Sequence, residues 1–256
     1  MFKNKIKENL YKNIPQFGTF ISSNAPDTVE ICGLLGFDFA VLDMEHGYMS
    51  PETLIPLIRA AEGTGMVPVA RVTCNDETKI LRTLDAGAYG IHVPQINTKE
   101  DALRAVKYAK YFPQGTRGVS YQRANGFGVF DINEYMKQEN EETMVVFHCE
   151  TVECIKNIDE IASVEGLDAL LFGPFDMSQS MGIPGQINNP MVEEAVQTML
   201  KACKKHGKIA GIYTGNVEAA EKRVEQGFRY MPVGVDGKVI ADAYRSILTG
   251  LRKIKY

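Results

Sequence analysis

Glu150 and Asp176 stand 26 residues apart, the length of one strand-helix-strand step, and each lies at or just beyond a β-rich apolar run, Met144–Glu150 and Ala169–Phe172. In a parallel sheet such carboxylates come from adjacent strands at the same height. With no base between them they share either a proton or a cation. An all-oxygen site with room for water suits Mg²⁺ or Mn²⁺ better than Zn²⁺, which draws more His or Cys. By the two-residue strand period His148 shares a face with Glu150 and Cys149 points the other way. His148 is then either a further ligand, direct or through water, or a structural histidine satisfied by rim partners.

Two more strand ends carry charge. The run ending at Asp43 continues Met44-Glu45-His46, which brings a carboxylate close enough to orient the His46 imidazole and raise its basicity. His46 is therefore the general-base candidate. His92 falls inside a strand and His206 near a helix end, where core packing and dipole compensation explain them. Arg71 ends a strand beside Val69 and Val72, and its burial requires an anion. The planar guanidinium fits a substrate carboxylate in two parallel hydrogen bonds, so an acid substrate is implied. The plainer alternative pairs Arg71 with Asp43 or Glu45 across the rim. Each residue alone has such an explanation. Four strands delivering charge to one rim point to a site.

Eight β-rich runs alternate with segments of helical spacing: Gly18–Ser22, Phe39–Asp43, Val67–Val72, Gly90–Pro94, Met144–Glu150, Ala169–Phe172, Ile209–Thr214 and Tyr230–Val235. Most are continuously apolar, as strands buried on both faces must be. Ser50-Pro51, Thr98 with Asp101, and Asn189-Pro190 mark helix starts, while Gly87, Gly207 and Gly227 mark ends. No G-x-G-x-x-G follows the first strand, which weighs against a doubly wound open sheet. The expected fold is a single (β/α)₈ TIM barrel over residues 1–256, with catalytic groups at the C-terminal strand ends. The Pro- and Gly-containing segment from Phe112 to Ile132, with Arg117 and Arg123, is expected to overhang the barrel mouth.

A length of 256 residues matches one such barrel. Hydrophobic residues at 45% and charged residues at 23% exclude a disordered or fibrous chain. Scattered Lys and Arg and a net charge of −4 argue against nucleic acid or membrane partners and leave small molecules. No apolar run approaches a membrane span and the N-terminus lacks a signal core, so a cytoplasmic protein is expected. Five cysteines without a C-x-x-C pair read as buried free thiols.

The strings Phe39-Ala-Val-Leu-Asp-Met-Glu-His46, Val69-Ala-Arg-Val72, Leu84-Asp-Ala-Gly-Ala88, His148-Cys-Glu-Thr151, Phe172-Gly-Pro-Phe-Asp-Met-Ser178 and Val233-Gly-Val-Asp236 together resemble the HpcH/HpaI aldolase family, in order and spacing, from about Gly18 to Leu251. The resemblance implies a lyase, a class II pyruvate aldolase dependent on Mg²⁺, Mn²⁺ or Co²⁺ and similar to 2,4-dihydroxyhept-2-ene-1,7-dioic acid aldolases. It would reversibly cleave a 4-hydroxy-2-oxo acid to pyruvate and an aldehyde. By the same resemblance Glu150 and Asp176 hold the metal, and Arg71 holds the pyruvate carboxylate and enolate oxygen. His46 is the base supported by Asp43, and Asp85 reaches a neighbouring subunit's site. The backbone at Gly173 and Phe175 receives the substrate carboxylate, and Tyr213 lines the aldehyde end. Homologues form hexamers whose last helix can exchange between subunits. The metal would act as a Lewis acid on the developing oxyanion, so no Schiff-base lysine is needed.

Three departures bear on the substrate: His148 stands where many relatives carry Gln, Phe175 where the residue is usually small or polar, and Tyr121-Gln-Arg-Ala-Asn-Gly where an Arg-rich loop is common. Two other functions fit the same residues. One is a citrate-synthase-like condensation of an acyl thioester with a 2-oxo acid. The other is a non-catalytic barrel that binds a 2-oxo acid or metal.

Overall fold

Strand alternation decides which side chains face the barrel axis. In the computed structural model, which describes residues 3–254, eight parallel strands close on themselves in chain order: β1 (Gln16–Ile21), β2 (Phe39–Asp43), β3 (Val67–Arg71), β4 (Gly90–Val93), β5 (Met144–Cys149), β6 (Ala169–Phe172), β7 (Ile209–Ile212) and β8 (Tyr230–Val235). All eight expected runs are strands, and their ends shift by no more than two residues. Phe20, Phe39, Val41, Val67, Val69, Val146, Leu171 and Tyr230 pack inside the barrel. Their chain neighbours Ile21, Ala40, Leu42, Ala70, Val145, Phe147 and Leu170 face outward into a second core beneath the helices. Both faces are therefore dry, which accounts for the continuously apolar strands.

The helices are α1 (Lys5–Tyr11), α2 (Pro26–Leu34), α3 (Pro51–Thr64), α4 (Glu77–Asp85), α5 (Lys99–Ala109), α6 (Ile132–Glu142), α7 (Val152–Lys156), α8 (Ile158–Ala162), α9 (Pro174–Ser180), α10 (Pro190–His206), α11 (Val217–Gln226) and α12 (Asp236–Leu251). Their starts follow the expected chemistry. The Ser50 N–H donates to Thr53 Oγ1 at 2.8 Å ahead of α3, and Thr98 and Asp101 form a reciprocal capping box at α5. The Asn189 side chain accepts from the Met191 N–H at α10, and Gly207 closes that helix at φ 65°, a left-handed angle where a β-carbon would be strained. The short helix α1 is an addition to the expected eight units. It inserts Ile6 and Leu10 into the inner core and so plugs the N-terminal end of the barrel.

One expectation is corrected. The segment after α5 does not overhang the mouth. Because α5 carries the chain back down the barrel before the segment begins, it packs against the C-terminal ends of other helices. Arg117 Nη2 donates to Asp85 at the end of α4 (2.8 Å), Arg117 Nη1 to Glu139 in α6 (3.2 Å), and Arg123 pairs with Glu62 in the last turn of α3. A 3₁₀ turn over Arg123–Gly128 lies in this segment. The thiols are also only partly as expected: Cys149, Cys154 and Cys203 are buried, Cys32 is half-buried and Cys74 is exposed, all free. Among the described residues no helix is long and apolar enough to cross a membrane.

Candidate active site

The C-terminal strand ends surround a cavity of about 480 Å³ lined by Asp43, His46, Arg71, His148, Glu150, Gly173, Phe175, Asp176 and Tyr213, with Phe20, Ser22 and Leu171 among its walls. Asp43 and Arg71 are register partners on β2 and β3. Both point inward because each follows an inward residue, Val41 or Val69, by two positions. Arg71 donates from Nε to Asp43 Oδ1 at 2.8 Å and from Nη2 to Oδ2 at 2.5 Å, and its Nη1 lies 3.1 Å from Glu45 Oε2. The rim pairing foreseen as the plainer alternative for Arg71 is thus present. Arg71 nonetheless faces the cavity, its guanidinium 5.0 Å from the centre of the Phe20 ring.

Burial opposes the charged form of Asp43, but the Arg71 guanidinium and the N–H groups of Glu45 and His46 prevail and hold its carboxyl below the usual aspartate range. Glu45 behaves oppositely. Burial, aided by the nearby Glu150 charge, outweighs Arg71 and raises its carboxyl. The expected support of the His46 ring by Asp43 does not form. Asp43 accepts the His46 backbone N–H at 3.2 Å, and both of its oxygens are taken up by Arg71. The strand stops at Asp43 and turns sharply, which leaves the His46 side chain exposed at the lip.

Glu150 follows β5 directly, whereas Asp176 sits in the first turn of α9 rather than on β6. The two carboxylates come from adjacent strand-helix units but not from equivalent positions, and Glu150 is buried while Asp176 is exposed. They flank the same spot. A β-carbon built on Gly173 would lie 3.3 Å from Glu150 Cβ, 3.6 Å from Glu150 Oε2 and 3.8 Å from Asp176 Oδ2, so only glycine leaves the space between them open. Burial alone would raise the Glu150 carboxyl. His148, the Gln95 N–H on Oε1 at 2.8 Å, and Arg71 overcome it and hold Glu150 below the usual glutamate range. Among the described residues no group of three or more His, Cys, Asp and Glu could hold a metal. The donor set is therefore two hard carboxylates beside open space, which fits a divalent cation that keeps water or takes oxygens from a substrate.

His148 turns out to be satisfied by protein partners. Its Nδ1 lies 3.2 Å from Glu150 Oε2 and its Nε2 lies 3.0 Å from His92 Nδ1. His92 is not mere core packing, because its Nε2 meets the Tyr230 hydroxyl at 2.8 Å. Sequence reasoning missed the part that His92 and Tyr230 play beside the site, whereas the contact of Glu45 with Arg71 belongs to the rim pairing it had weighed. Inward phase of strands β4 and β8 is a signal for His92 and Tyr230, but only closure of the barrel brings them to one another.

Of the remaining candidates, Tyr213 follows β7 and faces the cavity, its ring 6.0 Å from Phe20 and 6.2 Å from the half-exposed Phe175. The Gly173 N–H is already donated to the Cys149 carbonyl at 3.1 Å, so Gly173 contributes space rather than a hydrogen bond to a ligand. Asp85 is not brought to this cavity. It lies at the far end of α4, held by Arg117, on an outer groove with Arg82 and Arg123.

The sequence matches the family described as HpcH/HpaI aldolase/citrate lyase over residues 16–243. A 5-keto-4-deoxy-D-glucarate aldolase of Salmonella arizonae is 37% identical over 237 residues, 92% of each chain. A solved family protein of Burkholderia cenocepacia superposes with a TM-score of 0.93 at 30% identity, covering 98% of this chain and all of the other. The citrate synthase SbnG superposes with a TM-score of 0.88 at 35% identity over 96% of this chain and 97% of its own. Aldolase relatives over nearly the whole length make the protein a carbon–carbon lyase. The chain, with its closed barrel and its charged C-terminal rim, belongs to the HpcH/HpaI aldolase/citrate lyase family.

Proposed function

We propose that the C-terminal cavity binds a 4-hydroxy-2-oxo acid beside a divalent cation and cleaves it reversibly to pyruvate and an aldehyde. The observation that carries this reading is the convergence of Glu150, Asp176 and Arg71 on one cavity whose lip bears His46. Glu150 and Asp176 would hold the cation, Mg²⁺, Mn²⁺ or Co²⁺, which supplies Lewis acidity toward the substrate's 2-oxo oxygen when bound. Arg71, fixed by Asp43 and Glu45, presents a positive charge that needs no reorganisation as negative charge develops on the three-carbon fragment. His46 at the exposed lip would take the 4-hydroxyl proton as the bond between carbons 3 and 4 breaks; a proton then passes to carbon 3 of the released three-carbon enolate to complete pyruvate, and the reverse transfers serve the condensation direction. The backbone at Phe175 borders the substrate carboxylate. Phe175 and Tyr213 bound the aldehyde end, and their aromatic faces favour a short aldehyde.

The homo-oligomer is part of the same proposal. On α12 the side chains of Val239, Ile240, Tyr244, Ile247, Leu248 and Leu251 are all exposed, an apolar face that a second copy would cover, in a hexamer with exchanged helices. Asp85, remote from its own cavity, would then serve a neighbouring one.

Deuterium exchange tests the chemistry. With pyruvate alone in D₂O, the protein is expected to exchange the methyl protons only when Mg²⁺, Mn²⁺ or Co²⁺ is added. A citrate-synthase-like condensation, suggested by the likeness to SbnG, has no reason to enolise pyruvate without an acyl thioester. Absence of exchange with all three ions would overturn the aldolase reading.

A further inference from the structure

The barrel interior is crossed by a polar line amid apolar packing. From β8 to the cavity it runs Tyr230 hydroxyl to His92 Nε2 (2.8 Å), His92 Nδ1 to His148 Nε2 (3.0 Å) and His148 Nδ1 to Glu150 Oε2 (3.2 Å). Tyr230 and His92 are fully buried, and His148 and Glu150 are 3% exposed, so every donor along the line must find its acceptor within it.

That requirement selects one arrangement of protons. Glu150 as a carboxylate only accepts, so the His148 proton is on Nδ1. The Tyr230 hydroxyl has no other partner among the described residues, so its hydrogen must go to His92 Nε2. His92 then carries its proton on Nδ1 and donates it to the free Nε2 of His148. In this arrangement every hydrogen bond points toward Glu150. Burial, with the Arg71 charge near, also keeps His92 well below the ordinary histidine value. The other oxygen of Glu150 is held at a conformational expense. Gln95 adopts φ 58°, a left-handed angle unusual outside glycine, and in that conformation its N–H reaches Glu150 Oε1 at 2.8 Å.

We propose that Tyr230, His92 and His148 are positioning residues whose one-way hydrogen-bond chain, with the Gln95 N–H, locks the Glu150 carboxylate in the orientation that receives the cation. The inference rests on Glu150 belonging to the proposed cation site. One oxygen is gripped from inside the barrel and the other from the β4 loop, which leaves the outward lone pairs for the ion. Hydrogen-bond partners of this kind change cation affinity by about 10–100-fold when removed, because the ligand must otherwise be ordered on binding.

Two measurements decide it. In ¹⁵N-histidine-labelled wild-type protein without cation at neutral pH, ring nitrogen spectra are expected to show His92 and His148 as neutral Nδ1–H tautomers, assigned by their loss in H92L and H148L or, failing that, in H148Q and H92N. An Nε2–H tautomer or a cationic ring at either position overturns the chain. Calorimetric titration with Mn²⁺ alone is expected to show affinity lowered about 10–100-fold in H148L and H92L. It should stay within about threefold of wild type in H148Q, whose amide can still donate to Glu150. Wild-type affinity in H148L and H92L, with loss of Mn²⁺ binding in E150Q, overturns the positioning chain alone. Wild-type affinity in E150Q overturns the cation site and the inference built on it.

Discussion

Asp43→Asn tests whether the buried Arg71 is held by charge. The substitution keeps the shape and one acceptor for Arg71 Nε, but it removes the negative charge and turns an amide donor toward Nη2. The native pair is nearly dry, with side chains 9% and 5% exposed and bonds of 2.8 and 2.5 Å. Removing one partner of such a pair strands the other charge and costs about 3–5 kcal/mol. Glu45 remains 3.1 Å from Nη1 and is 19% exposed, so it recovers only a surface-like contribution of about 1 kcal/mol. The expected loss is therefore about 2–4 kcal/mol in equilibrium urea unfolding at pH 7, and roughly 5–15 °C in Tm for a chain of this size.

The pH dependence carries a sign. Because the folded Asp43 carboxyl lies below its ordinary value of 3.8, its contribution is complete above that value and disappears as pH falls through the lower folded value. The gap between wild type and D43N should thus be full at pH 6–7 and shrink as pH drops below about 4. Measuring both proteins in EDTA keeps cation linkage out of the comparison. A D43N protein within about 0.5 kcal/mol of wild type at pH 7 would refute the assignment of Arg71's orientation to Asp43.

Four further outcomes are expected. Glu150→Gln should leave the circular dichroism spectrum unchanged while aldol cleavage falls by at least about 100-fold, since one of two charged ligands is lost; turnover near wild type would remove Glu150 from the cation site. His46→Asn should lower kcat by about 10²–10⁴-fold with pyruvate affinity little changed, and an undiminished kcat in steady-state assays would exclude it as the base. Phe175→Ser opens the ring pair with Tyr213 and should raise kcat/KM for long or branched aldehydes relative to short ones by about 10-fold, measured on an aldehyde panel; an unaltered preference order would show that the ring does not bound that end. Ile247→Glu with Leu251→Glu places charge on the exposed apolar face of α12 and should reduce the proposed homo-oligomer to smaller species in sedimentation; an unchanged sedimentation coefficient would refute α12 as its contact.

What was legible in the sequence were features governed by local physics. Continuous apolar runs mark strands dry on both faces, Ser50-Pro51 and the Thr98–Asp101 pair open helices, and the two-residue period puts His148 beside Glu150 and Asp43 on the axis side. The closed ring of eight and its charged rim follow from repeating that unit. Other features depended on where distant segments meet. The segment from Phe112 was assigned to the mouth because its own composition cannot reveal that α5 first returns the chain to the opposite end. Asp43 was assigned to His46, three residues away, but the neighbouring strand offers Arg71 at the same register, and a bidentate guanidinium outcompetes an imidazole at the exposed lip. His92 and Tyr230 are 138 residues apart and meet only because β8 closes against β1 and completes the barrel around a shared interior. Side-chain direction along a strand is a local property and can be counted from residue to residue. The partner that a buried polar group finds across the axis is decided by closure, since only then is water excluded and each donor forced onto the acceptor that remains.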